Sequence, residues 1–225
     1  MVDEVTNGSF YHLSKTLMFI NKKWSIELIR DMFFGKKRFK EFKEERPDLS
    51  SKVLSECLKN LEGNGVIQKV VDSKPASTNY YLTQRGKSLN RVIYELVVFS
   101  QEKNFSPVSE TLAFLSKKWS VEIIRDMFFG KKHFKGFKEG NPDLSNKVLS
   151  ECLKNLESNG IIEKKITNSK PFSTEYQLTE LGKSLNRVMY ELVVFDLDNY
   201  GETYEKESTR RRIIEDFRET LEINY

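Results

Sequence analysis

The chain has 225 residues, 38% apolar and 12% aromatic, which allows one or two domains with real hydrophobic cores. Its net charge of +4 is weak evidence for a nucleic-acid partner, but residues 1–100 hold 17 basic and 12 acidic side chains, residues 101–195 hold 15 and 12, and residues 196–225 hold 5 and 9. MVDEVTNGSF lacks a secretion-signal pattern, runs such as Val97-Val98-Phe99 are too short to span a bilayer, and Cys57 and Cys152 sit in no paired motif, so a soluble, cytoplasmic protein with no membrane partner is expected.

A repeat organises the chain. Trp24 recurs as Trp119, Gly35 as Gly130, Pro47 as Pro142 and Gly65 as Gly160, an offset of 95 that becomes 96 from Pro75/Pro171 onward. The added residue falls where a hairpin tip is expected. A period of this length is a whole small domain, longer than a solenoid unit of about 20–50 residues.

Within a copy, Phe10 to Ile20 reads as a first helix. WSIELIRDMFF, Trp24 to Phe34, is an amphipathic helix with Trp24, Leu28 and Met32 inward. A basic loop, Gly35-Lys36-Lys37-Arg38, leads to a third helix from Phe39 to about Arg46, closed by Pro47. The central helix follows. Ser50 or Ser51 caps it, Val53, Leu54, Leu58 and Leu61 form its apolar stripe, and Gly65 ends it in the left-handed conformation. Its opposite face carries Ser51, Lys52, Ser55, Glu56, Lys59 and Asn60. Val66–Val71 and Thr78–Leu82 are strands of a hairpin around DSKPAS, and Thr83 caps a last helix through about Phe99. That helix is apolar on most sides (Leu89, Val92, Ile93, Leu96 and Val97, widened by Tyr94, Val98 and Phe99), so it should also pack against the other repeat or another chain. Helices, an outward helix, a hairpin and a closing helix are the order of a winged helix-turn-helix domain. The expected fold is mainly α with small β-hairpins: two tandem winged helix-turn-helix domains (1–103 and 104–197) plus a C-terminal helical tail (198–225).

The outward faces are candidates for the DNA major groove: Ser51, Lys52, Ser55 and Lys59 in copy one, and Asn146, Lys147, Ser150 and Lys154 in copy two. Lys can donate to guanine, and Ser or Asn to several base edges or to phosphate. A solvated helix face would look similar, and Glu56 and Glu151 argue mildly against DNA. Candidate phosphate contacts are Lys36, Lys37 and Arg38, their counterparts Lys131, Lys132 and His133, and Lys22, Lys23, Lys117 and Lys118 at the entrance to the second helix. Lys74 and Lys170 stand at the hairpin tips, where a wing would meet the backbone or the minor groove. Each cluster has a plain solubilising reading beside the functional one. Cys57 and Cys152 read as buried structural thiols, and Trp24 and Trp119 as core. His12 and His133 do not correspond between copies, so no zinc site is expected, and no phosphate loop, nucleophile elbow or dinucleotide motif suggests an enzyme or a cofactor. In the tail, Ile213, Ile214, Phe217 and Leu221 predict a helix folded back on one domain as a lid, with Arg210, Arg211 and Arg212 a basic spot among acids.

Each copy resembles the HxlR family of bacterial and archaeal transcriptional regulators, relatives of the MarR-type winged helices. Copy two carries the resemblance in SPVSETLAFLSKKWSVEIIRDMFFGKKHFKGFKEGNPDLSNKVLSECLKNLESNGIIEKK followed by YQLTELGKSL. The resemblance implies a dimeric DNA-binding regulator whose first and last helices make the dimer contact. Two departures stand out. Both halves are fused in one chain, and the first-helix Cys that many members carry is replaced by Tyr11 and Ser106, which form no thiolate. The resulting expectation is a sequence-specific double-stranded DNA-binding regulator, a monomeric pseudo-dimer with helices at about 50–63 and 145–158 in successive major grooves. The aromatic-rich space between the domains leaves room for a small-molecule effector, or is plain interface, and higher oligomers stay open. The alternative is a protein-interaction scaffold that does not bind DNA.

Overall fold

The computed structural model describes residues 13–22, 24–44, 46–73, 76–102, 108–167, 173–200 and 207–224. Copy one holds α1 (Leu13–Ile20), α2 (Ser25–Phe33), α3 (Phe39–Glu44), α4 (Ser51–Gly63), β1 (Ile67–Ser73), β2 (Ala76–Leu82), α5 (Gln84–Ser88) and α6 (Asn90–Glu102). Copy two repeats the order with α7 (Val108–Leu115), α8 (Ser120–Phe128), α9 (Phe134–Gly140), α10 (Asn146–Ser158), β3 (Ile162–Thr167), β4 (Ser173–Leu178), α11 (Glu180–Lys183) and α12 (Asn186–Tyr200). The tail adds α13 (Glu207–Thr220). The fold is the expected one, mainly helical with one antiparallel hairpin per copy, paired from Ile67↔Leu82 to Ser73↔Ala76 and from Ile162↔Leu178 to Thr167↔Ser173. None of the described helices is long and apolar enough to cross a membrane.

The ends of the central helix follow from local chemistry. Ser50 Oγ accepts from Val53 N at 3.2 Å, and Ser145 Oγ from Val148 N at 3.2 Å, so Ser50 and not Ser51 is the cap. At the other end Gly65 N donates to Glu62 O and Val66 N to Leu61 O, both at 2.9 Å, a Schellman turn with Gly65 at φ 67°. Copy two repeats it with Gly160 at φ 69°. The buried stripe is Leu54, Cys57, Leu58 and Leu61; Val53, expected inward, is 37% exposed because Cys57 holds the fourth inward position.

The closing segment is locked onto that turn. Thr83 Oγ1 donates to Gly65 O at 2.6 Å, Thr83 N donates to Val66 O at 3.0 Å, and Thr83 Oγ1 accepts from Gly86 N at 3.1 Å. Thr179 and Gly182 do the same in copy two. The last helix expected from Thr83 to Phe99 is in fact two, α5 and α6, broken at Leu89. Leu89, Val92, Ile93, Leu96 and Phe99 are buried as expected, whereas Tyr94 is 64% exposed.

Trp24 and Trp119 depart from the core reading. Each precedes its helix in the left-handed region, at φ 76° and 74°, and is only half-buried. A bulky residue there costs about 1–3 kcal/mol, which the surrounding turn must hold. The Arg46 guanidinium lies over the Trp24 ring at 5.9 Å and the Lys118 ammonium over Trp119 at 5.4 Å.

Backbone proximity divides the chain into two compact units. One is Met18–Tyr94; the other holds Glu95 onward together with the start of α1. The last turns of α6 therefore cluster with copy two, where Ser100 and Thr111 share a buried hydroxyl pair at 2.8 Å. In that unit α13 packs on α12, with Ile213, Phe217, Leu221 and Ile223 buried. The folded-back tail helix expected from the spacing is present.

Candidate nucleic-acid interface

α4 and α10 turn matching polar faces outward. Ser51, Lys52, Glu56 and Lys59 are exposed and Ser55 is half-buried; Asn146, Lys147, Ser150, Glu151 and Lys154 are all exposed. Asn60 leaves this face, because its Nδ2 donates to Phe19 O at 3.1 Å. The apolar stripe fixes which side faces out, since a rotation of α4 would bury Lys52 and Lys59.

A buried carboxylate positions the segment leading into each face. Asp31 is 4% exposed; its Oδ2 accepts from Arg46 Nη1 at 2.5 Å and lies 3.5 Å from Lys36 Nζ. Asp126 is 1% exposed and takes Asn141 Nδ2 at 3.0 Å, Lys131 Nζ at 3.1 Å and Arg125 Nη2 at 2.8 Å. One carboxylate thus ties the second helix, the basic loop and the turn before the outward helix together. Lys36 and Lys131 are half-buried in these ion pairs. Lys37 is half-exposed, and Arg38, Lys132 and His133 are exposed.

The basic loop is also stitched to the hairpin. Tyr80 N donates to Lys37 O and Tyr176 N to Lys132 O, each at 2.8 Å, and Arg38 forms a bridge with Asn79. Phe42 with Tyr80 and Phe137 with Tyr176 pack ring to ring beneath, at 6.5 and 6.4 Å. Arg38 and His133 therefore stand beside the second strand of the hairpin, Arg38 opposite Asn79 midway along it and His133 at Thr174 and Glu175, nearer the tip. Lys74 and Lys170 at its tip lie outside the described residues, as do Lys23, His12, Tyr11 and Ser106. Lys22 is exposed, and Lys117 bonds to Asn155 Oδ1.

The copies differ in how the loop is held. Glu41 accepts from Lys37 N at 2.8 Å and Arg38 N at 2.9 Å, and those two N–H groups lower its pKa. The equivalent residue in copy two is Gly136. Sequence reasoning also missed Lys43 and Lys138. Lys43 Nζ lies 3.4 Å from Ser51 Oγ, and Lys138 Nζ donates to the carbonyls of Pro142 and Leu144, beside the start of each outward helix. Only their position seven residues before the capping serines Ser50 and Ser145 hinted at this.

The two thiols sit behind the faces, 4% and 6% exposed, with Ser25 Oγ 3.4 Å from Cys57 Sγ and Ser120 Oγ 3.9 Å from Cys152 Sγ. Burial pushes Cys57 upward and Cys152 to about 11. Cys152 is then thiolate to only ~0.1% at pH 8, against about a quarter of a free cysteine. The native protein is expected to react with a disulfide reagent at pH 8 more than ~100-fold slower at this thiol than in urea; comparable rates would contradict the burial. Because the folded pKa is raised, this thiol leaves stability unchanged well below the free-thiol pKa of about 8.5 and lowers it as pH rises through that value toward 11.

A capped outward helix, a hairpin bound to the preceding loop and a closing helix define two winged helix-turn-helix domains. The family model described as HxlR-like helix-turn-helix matches residues 19–106 and 114–207, and the chain belongs to that family. YybR of Bacillus subtilis (strain 168), an HTH-type transcriptional regulator, is 30% identical over 52% of this chain and 84% of its own. YodB of the same organism, also an HTH-type transcriptional regulator, is 36% identical over 38% of this chain and 76% of its own. The reduced form of YodB, as a solved structure, aligns at 33% identity over 42% of this chain and 92% of that one, with a TM-score of 0.39.

Proposed function

We propose that the chain is a sequence-specific double-stranded DNA-binding transcriptional regulator, non-enzymatic and cytoplasmic, that works as a single-chain pseudo-dimer. The observation that carries this is the repetition of one solvent-facing, basic helix face on two domains of a helix-turn-helix family. α4 and α10 enter successive major grooves of a pseudo-palindromic site, about one helical turn apart. Lys52, Lys59, Lys147 and Lys154, with Ser51, Ser55, Asn146 and Ser150, reach base edges and flanking phosphates. Lys37, Arg38, Lys132 and His133 meet phosphates beside the second strand of the hairpin, and Lys74 and Lys170 do so at its tip. Lys36 and Lys131 hold the loop through Asp31 and Asp126. The repeat boundaries at 103/104 and 197/198 belong to the same reading, each head being one sequence repeat.

The outward faces are polar, which favours this reading over a protein-interaction scaffold using the same helices. Light scattering of the complex with a duplex recovered by selection from random sequence tests it. One chain per duplex is expected, and two chains would contradict the pseudo-dimer.

A further inference from the structure

The tail helix α13 covers copy two, and the described residues of copy one include no such helix. Its seat on copy two is defined at both ends. Phe217 meets Phe129 edge-on, ring centroids 5.0 Å apart, and Asn186 Nδ2 donates to Leu221 O at 3.0 Å. Arg210, near the start of α13, pairs with Asp198, near the end of α12. α13 therefore runs antiparallel along α12. Tyr190 lies one turn on from Asn186 between those anchors and is 8% exposed.

Copy one carries the same groups uncovered. Phe34, in the place of Phe129, is 81% exposed; Tyr94, in the place of Tyr190, is 64% exposed; Phe33 beside them is 42% exposed. Asn90 keeps the pose of Asn186: its Oδ1 accepts from Arg91 N at 2.8 Å, as Asn186 Oδ1 accepts from Arg187 N at 2.8 Å. By the repeat, Phe34 and Tyr94 stand where α13 lies on copy two, so they mark one patch, unlike apolar residues scattered singly over a surface.

We propose that this face of copy one docks an amphipathic helix of a partner protein built like α13, with aliphatic and aromatic side chains at four-residue steps as in Ile213, Phe217 and Leu221. The aromatic packs on Phe34, and a carbonyl at the helix end accepts from Asn90. The tail of a second copy is not the occupant. It is already seated with Ile213, Phe217, Leu221 and Ile223 at most 4% exposed, and moving it would uncover as much as it covers. The proposal does not depend on DNA binding.

The probe is a fluorescent peptide of residues 207–224, held helical by a lactam between Glu215 and the lysine of R211K on its exposed side, titrated into the full-length protein. Saturable binding of one peptide per chain is expected, weakened at least tenfold by Phe34→Ala and by Tyr94→Ala. Both residues are exposed, so both variants should keep the parent melting temperature. Three results would each overturn the proposal. The first is no saturable binding. The second is binding indifferent to both substitutions, which would mean that the peptide displaces the resident tail. The third is a homodimer in light scattering that Phe34→Ala converts to monomer, which would assign the face to a second copy.

Discussion

Reversing charge at Lys52 and Lys147 together, as Lys52→Glu/Lys147→Glu, is expected to remove specific DNA binding while leaving the protein folded. Each lysine is exposed on the second position of its outward helix, one residue past Ser51 or Asn146. That is the part of a recognition helix that reaches base edges. A good base contact contributes about 1–3 kcal/mol, so losing two costs about 2–6 kcal/mol, roughly a 30-fold to 20,000-fold drop in affinity. The repulsion of new carboxylates by phosphate adds to it. Neither side chain supports the core, so the melting temperature should move by no more than a degree or two. Each single variant should fall between parent and double variant, because each disables one head. Unchanged affinity in a folded double variant would remove α4 and α10 from the interface.

The second large effect is on stability. An added methyl at Gly182 would sit 2.1 Å from Ile161 O and 3.0 Å from a Leu178 methyl; at Gly86 it would sit 2.1 Å from Val66 O. These oxygens cannot step aside cheaply. Ile161 O accepts from Thr179 N at 3.1 Å and from Thr179 Oγ1 at 3.2 Å, and Ile161 N closes the Schellman turn of α10. Gly182→Ala is expected to cost about 3 kcal/mol or more, read from urea unfolding. Gly136, inside α9 with nothing within 4 Å of an added methyl, is the control. Gly136→Ala should be neutral or stabilising by about 0.5–1 kcal/mol. A cost below about 1 kcal/mol for Gly182→Ala would show that the close approach is relieved without penalty.

Much of this fold is legible because its signals are local. Ser50, Gly65 and Thr83 each act on groups within a few residues or on the adjoining turn, and the repeat presents each signal twice. Features set by distant packing were not legible. Val53 and Cys57 both read as buried from the sequence, and only the core behind α4 decides that Cys57 is and Val53 is not. Trp24 fits an apolar helical pattern as well as any inward residue, since a left-handed φ leaves no trace in periodicity. The break at Leu89 is hidden because QRGKS carries no apolar residue whose phase could shift, and Leu89 itself fits the stripe of α6.

At the candidate site, the outward lysines of α4 and α10 were readable from the stripe opposite them. The role of Lys36 and Lys131 was not. A lysine next to another lysine reads as surface charge until Asp31 or Asp126, five residues earlier, is found buried beside it. The tail's apolar spacing foretold a packed helix, but which copy it covers is decided by Phe129 and Asn186 being bound to it while Phe34 and Asn90 are not.

The central claim, two heads on one duplex, is tested most directly by titrating a single duplex across salt concentration. Log affinity should fall linearly with log salt, by about 0.9 for each phosphate neutralised. Two heads engaged together predict a slope equivalent to roughly 6–10 phosphate contacts, at one chain per duplex. A slope of half that at the same stoichiometry would mean that one head binds alone, and no binding at low salt would contradict the account altogether.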